Sequence, residues 1–481
     1  MKETFNLTYL GLFPLGRSPS GKGMGIKMIL GRESELNYLN MHFDRDDSRI
    51  MVVYGEKNVG KTALLHQFVR DKSFYYYCAK YVSVREQRYQ WGAELKKKGI
   101  RLSEYPEFTD IFKSLMGNEK KKKVIIVDEF QNMVKAGDEF IRQLIWFVHE
   151  IQASCQVMII LCSSSIGWVE NNMVTKIGEA AYELSGLLKI RALGFETLRE
   201  YFAGFSMEQS IEAYAVLGGM PGLLKQFDDK LSIKENICRY ILNRNAFLYE
   251  EGQRIAAQEL REMGVYNTIL AALASGRHKL NDLHLHTEFS RAKISVYLKN
   301  LMELEFVEKV FSYDTEGKAN TQKGIYRISN HFVHFYFTYI YPNLSSLEQM
   351  EPLEFYNCYI EPSFKYYVAE YFKSVCRQYI EKWNKWRKLP FEIEKTGEWV
   401  GKFGTIDVIA QNEEGRTIAG ICNWDNPMMR YDDYEWLLFC LKKAKLQADY
   451  IYLFSSNRFD EKLRLEAAVK QNLKLISLDE M

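Results

Sequence analysis

The chain contains no run of about 18 apolar residues, so it offers no membrane-spanning helix. Its 8 cysteines form no C-x-x-C pair and no zinc-like Cys/His spacing. That sets aside a metal finger and a disulfide framework, and predicts free thiols in a reducing cytoplasm. Charge of one sign is also lacking. The 64 Lys and Arg against 62 Asp and Glu leave a net charge of +2, so any nucleic-acid surface must be local. There is no internal repeat and no low-complexity segment. What is present is ordinary for a soluble protein, at 47% hydrophobic and 26% charged residues. At 481 residues the chain is too long for one core, and two to four domains are expected.

Residues 1–27 have no long apolar region and no clear cleavage site, which argues against a signal peptide. They are expected to be a flexible tail ahead of a globular start at Met28. From there apolar strands such as "RIMVVYG", "VIIVDEF" and "QVMIILCSSS" alternate with helical patterns. Because they are continuous apolar runs, they predict a parallel sheet covered on both faces.

"YGEKNVGKTALL" has Gly55, four intervening residues, then Gly60, Lys61 and Thr62, between a buried strand and a helix. That is the setting of a phosphate-binding loop. The backbone of Gly55, Glu56, Lys57, Asn58, Val59, Gly60, Lys61, Thr62 and Ala63 would cradle the phosphates of ATP, helped by the helix dipole. Lys61 would neutralise β/γ oxygens, and Thr62 would hold Mg²⁺. Asp128 and Glu129 end a buried strand, at the edge where open α/β sheets bind ligands. Asp128 would hold Mg²⁺ through water, and Glu129 would polarise the attacking water. Ser163 and Ser164, after the fourth strand, are candidate sensors of the γ-phosphate or the water.

These stretches, with "ALGFETLREYF" and "YAVLGGMPGLLKQF", resemble the archaeal-type ATPases of the signal-transduction class with numerous domains (STAND), within the AAA-like P-loop NTPases. The resemblance implies a core over 28–193 and a helical lid over 194–263. It also implies that Gly218 to Pro221 sense nucleotide, with Pro221 a sensor residue, and that Gly31 to Glu33 lie near it. Relatives often carry Gly-Arg before "ALGF". Here Gly186 precedes Leu187, which leaves slow turnover or another group in arginine's role.

Residues 264–343 read as a winged helix-turn-helix. "SRAKISVYLKNLMELEFV" is its recognition helix, capped by Ser290, with Ile294, Leu298 and Leu301 toward the core. Arg291, Lys293 and Lys299 would face DNA, and Lys318 and Lys323 would sit on the wing. The alternative is a winged helix used only for packing or protein contacts. His284 and His286 fall on different helix faces, which disfavours a metal site.

Residues 344–481 resemble the restriction-endonuclease-like α/β fold of the PD-(D/E)XK superfamily, whose sites use two acids and a lysine around Mg²⁺. In "GTIDVIAQNEEGRTIAGICNW" Asp407 remains, but Ile421 and Asn423 stand at the acid and lysine positions, and Lys365 stands at the helix acid. Glu394 or Glu398 is the remaining substitute. The module is expected to be inactive as a nuclease.

The whole is expected to be an α/β P-loop ATPase acting as a nucleotide-driven switch, with ATP and Mg²⁺ as cofactors. DNA, an unknown protein and a second copy of the chain are its candidate partners. A DNA-binding regulator with little turnover and an ATP-regulated nuclease remain the alternatives.

Overall fold

The computed structural model describes residues 30–116, 121–151, 155–257, 262–313 and 324–481. The tail over 1–27 and the wing lysines Lys318 and Lys323 lie outside them. Among the described residues no helix is long and apolar enough to cross a membrane. All eight cysteines are free. The chain divides into two units, meeting at Arg191 and Ala192.

The first unit is a five-stranded parallel sheet of β1 (Arg49–Tyr54), β2 (Phe74–Cys78), β3 (Lys123–Asp128), β4 (Val157–Ser163) and β5 (Gly186–Lys189). Its spatial order is β2-β3-β4-β1-β5. Every residue of β4 is buried, as a central strand covered on both faces must be. On one face an aromatic layer forms from α3 (Val84–Lys97), α4 (Phe108–Met116) and α5 (Glu139–Ile151), which follow α1 (Glu33–Phe43) and α2 (Lys61–Phe68). Trp91 lies 4.2 Å from Tyr77, centroid to centroid, and Phe112 5.2 Å from Phe147. Burying such rings supplies much of the stabilisation that holds the sheet edge rigid. The order matters for chemistry. It sets β4 between β1 and β3, so the segments leaving all three strands emerge side by side at the carboxyl edge.

The second unit opens with short helices. α6 (Met207–Leu217) starts in a reciprocal capping box between Ser206 and Gln209. The turn after it has no room for a side chain at Gly219, where a Cβ would lie 1.7 Å from the Leu193 carbonyl oxygen. Next come α7 (Met263–Ala274), α8 (Leu280–Thr287) and α9 (Arg291–Glu303), packed on one another, then an antiparallel hairpin of β6 (Val307–Val310) and β7 (Ile325–Ile328). Ile294, Leu298 and Leu301 are fully buried, as the helical period requires.

The long helix α10 (Glu361–Lys385) precedes a mixed sheet of β8 (Lys395–Val400), β9 (Thr405–Gln411), β10 (Thr417–Asn423), β11 (Tyr450–Ser455) and β12 (Leu473–Ser477). β9 and β10 form the expected hairpin, with Gln411 opposite Thr417 and Gly415 supplying the left-handed turn residue at φ 86°. Parallel pairing continues from β10 to β11 and β12, and α11 (Tyr431–Ala444) makes the crossover between β10 and β11.

One face of α10 holds the helices at the start of this unit. Gln378 accepts a bond from the Phe195 amide (2.9 Å) and donates one to the Tyr214 hydroxyl (3.0 Å). Between α6 and α10 lie two histidines. His331 Nδ1 is 2.6 Å from the Tyr214 carbonyl, and His334 Nδ1 is 2.7 Å from the Tyr371 hydroxyl. Burial pushes both down to about 4. An unfolded chain protonates these rings from about pH 6.5 downward, whereas the folded chain does not until about pH 4. Stability is therefore full above pH 6.5 and falls as pH drops toward 4. Between pH 7.5 and 5 the loss is about 2 kcal/mol per histidine. Urea unfolding monitored at both pH values checks it; the urea midpoint of His331→Gln should shift less between them than that of the wild type.

Candidate functional site

The loop between β1 and α2 is shaped by its backbone. Gly60 caps α2 at φ 97° and Asn58 sits at φ 67°. Such left-handed positions turn successive amides toward one concavity, an anion nest at a helix N-terminus. Gly55 is required by its neighbour, since a Cβ there would stand 2.3 Å from the Ile190 carbonyl oxygen. Lys61 is buried and donates to the carbonyls of Gly55 (2.8 Å) and Glu56 (2.9 Å), so its ammonium is held inside the loop. Thr62 and Ala63 begin α2 exposed.

A brace missing from the sequence-level picture holds the loop from behind. Arg32 is 3% exposed and donates to the Val59 carbonyl (2.9 Å) and the Arg191 carbonyl (2.7 Å), while pairing with Glu35 at 2.8 Å. The Gly31 to Glu33 motif thus contributes by fixing the loop to the segment leaving β5.

Asp128 ends β3. One of its carboxylate oxygens accepts the Tyr76 hydroxyl and the other the Glu129 amide at 3.0 Å. Burial and the Asp128 charge push the Tyr76 hydroxyl far above its usual range, so it stays a donor. In "FYYYC" the strand alternation sends Tyr75 and Tyr77 onto Trp91 and leaves Tyr76 for Asp128. Only the sheet order shows which of three consecutive tyrosines reaches the acid.

Glu129 has a left-handed backbone at φ 53°, a conformation that costs a non-glycine residue energy and often marks a functional position. Its carboxylate accepts the Ser164 hydroxyl at 2.8 Å and the Gln131 amide. Of the two serines, Ser164 therefore joins the acid. Ser163 is fully buried and its hydroxyl accepts the Ser165 amide, closing the turn. Pro221 belongs to the second unit, where it begins a short helix after Gly218 and Gly219. The residues expected around Mg²⁺ fit the ion in kind, since an exposed hydroxyl at Thr62 and a carboxylate at Asp128 are hard oxygen donors. No group of three or more His, Cys, Asp or Glu able to hold a metal exists among the described residues.

On α9, Arg291 donates to Asn281 at 2.5 Å, Lys293 lies 4.5 Å above the Phe289 ring, and Lys299 is 3.8 Å from Glu303. Arg291, Lys293 and Lys299 are exposed. His284 caps the Phe289 carbonyl.

In the C-terminal module Asp407 is 6% exposed. It accepts the Cys422 amide (3.1 Å) and the Thr405 hydroxyl (3.2 Å), and pairs with Lys373 at 3.5 Å. Lys365 is exposed, and Lys373, two turns later on α10, is the lysine beside Asp407. Burial pulls the Lys373 ammonium down, but Asp407 and then Glu370 outweigh it and hold it above its usual range. Asn423 is also committed, donating to Ser455 (3.0 Å) and the Asn426 carbonyl (3.1 Å). Glu398 pairs with Arg327 and Arg377, and Glu394 is exposed.

Residues 29–227 match the model of an ATPase domain predominantly from Archaea. Residues 336–436 match that of archaeal and bacterial proteins of unknown function. An uncharacterized protein of Methanocaldococcus jannaschii is 29% identical over 390 residues, covering 81% of this chain and 85% of that one. Among solved structures, the Walker-type ATPase of Pyrococcus abyssi aligns with a TM-score of 0.44 at 17% identity, over 64% of this chain and 96% of its own. The ORC2 protein of Aeropyrum pernix aligns at 0.43 and 15% identity, over 67% and 97%. Residues 29–227 are therefore similar to archaeal-type P-loop ATPase domains, and residues 336–436 to a family of unknown function.

Proposed function

We propose that the chain is a Mg²⁺-dependent ATPase that works as a nucleotide-driven switch. The observation that carries this reading is the meeting of three strand ends, with the Lys61 loop after β1, Ser164 after β4, and Asp128 and Glu129 at β3. In the reading, backbone amides from Gly55 to Ala63 bind the phosphates and Lys61 neutralises them. Thr62, and Asp128 through water, would hold Mg²⁺, which would supply positive charge against the phosphates. Tyr76 fixes the Asp128 carboxylate. Glu129 takes a proton from the attacking water once it leaves Ser164. The domain reading follows the same order: core to 193, lid to 263, winged helix to 343 and an inactive nuclease-like module beyond.

Two observations favour an output in the second unit. α10 ties the helices at the start of this unit to the C-terminal sheet, through Gln378 on one side and the Arg377 bond to the Asp407 carbonyl (3.0 Å) on the other. α9 carries exposed Arg291, Lys293 and Lys299, which would meet phosphates of DNA. A DNA-binding regulator that holds ATP with little turnover is the second reading, favoured by the Leu187 position where relatives carry arginine.

The test is phosphate release by the full chain with Mg²⁺, with and without duplex DNA. Slow steady release that changes by at least about threefold with DNA, and less so at high salt, is the expected result. Tight nucleotide binding without release would transfer the case to the regulator, and absence of binding would end both.

A further inference from the structure

α11 leaves an unusual stripe open. Asp432, Trp436, Phe439 and Lys443 stand at i, i+4, i+7 and i+11, within about 60° of one another around the helix. All four are exposed, Trp436 by 48% and Phe439 by 38%. The two rings stack at 5.2 Å between centroids. The opposite side of the helix is core, through Tyr434, Leu437, Cys440 and Leu441. Phe403 widens the apolar patch at 53% exposure. Its loop abuts the helix, since a Cβ on Gly404 would lie 3.0 Å from the Trp436 indole. Lys443 covers Phe403 and Phe439 at 5.5 and 5.1 Å. Isolated exposed apolar residues need no explanation, but a contiguous aromatic patch rimmed by charge marks an interaction surface.

The order of the stripe identifies the occupant. It reads acid, aromatic, aromatic, base. Turned about a two-fold axis between Trp436 and Phe439 and laid antiparallel on itself, it sets Asp432 against Lys443 and Trp436 against Phe439, each pair occurring twice. A stripe of uniform charge would not match its own image, and this one does at all four positions. The geometry points to a homodimer formed through α11, an isologous contact in which one helix face meets the same face of a second copy. The aromatic centre supplies apolar burial, and the ends set the antiparallel direction. The patch is small beside a standard interface of about 800 Å² per partner, so the dimer forms in a concentration-dependent way. This inference is independent of the nucleotide site.

Sedimentation of the full chain from about 1 to about 100 µM in low salt tests it. A monomer–dimer equilibrium that weakens with added salt is expected. Trp436→Glu should leave only monomer. Lys443→Glu, which turns both end pairs repulsive, should weaken the dimer about tenfold. Asp432→Lys combined with Lys443→Glu should restore it to within about threefold, because the reversed charges again face each other. A separate protein docking on the stripe would not be rescued by that double reversal. Asp432 and Lys443 stand in the first and last turns of α11, where their charges complement the helix dipole, so the melting temperature of every variant is measured beside its sedimentation; the double reversal decides even if Trp436→Glu does not fold. A monomer at every concentration, a dimer indifferent to Trp436→Glu, or a double variant as weak as Lys443→Glu would overturn the inference.

Discussion

Lys61→Ala is expected to lower ATP affinity at least about 100-fold, while Glu129→Gln binds ATP normally and releases phosphate about 100- to 10,000-fold more slowly. The contrast follows from what each group touches. Lys61 is already preorganised, its ammonium fixed by the Gly55 and Glu56 carbonyls inside the loop. A charge-assisted contact to phosphate contributes about 1.5–3 kcal/mol, and losing two exceeds the roughly 2.7 kcal/mol of a 100-fold drop. Glu129 follows β3 at the sheet edge where the loop follows β1, and is held by Ser164 and Gln131. Its amide counterpart has nearly the same shape and can still receive the Ser164 hydroxyl through its carbonyl oxygen, but it accepts no proton from water. Calorimetric titration with a non-hydrolysable ATP analogue measures the first effect, and single-turnover phosphate release the second. Phosphate release that survives both substitutions would remove the assigned site.

The parts of the site that repeat a backbone pattern were legible in the sequence, and the parts that depend on sheet order were not. Gly55, Gly60, Lys61 and Thr62 announce themselves because a strand, a glycine turn and a helix are contiguous in the chain. Asp128 and Glu129 announce themselves because a charged pair follows four apolar residues. Arg32 is different. Its two acceptors lie 27 and 159 residues away, and no local pattern signals a buried arginine that binds carbonyls. Tyr76 is hidden for a related reason: the neighbouring strand decides which face of β2 meets the acid. The same limit applies in the C-terminal module. The β9–β10 hairpin was readable from its two apolar runs and turn, yet no local pattern marks Lys373 as the helix residue that pairs with Asp407. A period that repeats every turn does not say which turn of α10 lies over Asp407.

Lys373 also gives the C-terminal module its sharpest test. Asp407→Ala is expected to destabilise the second unit by about 3 kcal/mol, with no catalytic loss to accompany it. Truncation removes the acceptor of the Cys422 amide and leaves the Lys373 ammonium without its main counter-ion, although Glu370 remains 3.2 Å away. A partly buried cation stripped of its partner costs more than the pair itself contributes, which is why single truncation overstates the bond. Lys373→Ala should be costly for the mirrored reason. The double variant Asp407→Ala/Lys373→Ala should recover part of the loss, and the double-mutant cycle isolates the coupling. Urea unfolding of the four proteins measures it. In the same proteins, Mg²⁺ or Mn²⁺ should produce no cleavage of duplex or single-stranded DNA. The reason is that the Lys373 ammonium pairs with Asp407, Ile421 offers no oxygen to a metal, and the Asn423 amide is bonded to Ser455. Metal-dependent cleavage by the wild type, lost in Asp407→Ala at unchanged stability, would instead make Asp407 a metal ligand and return the module to the nucleases.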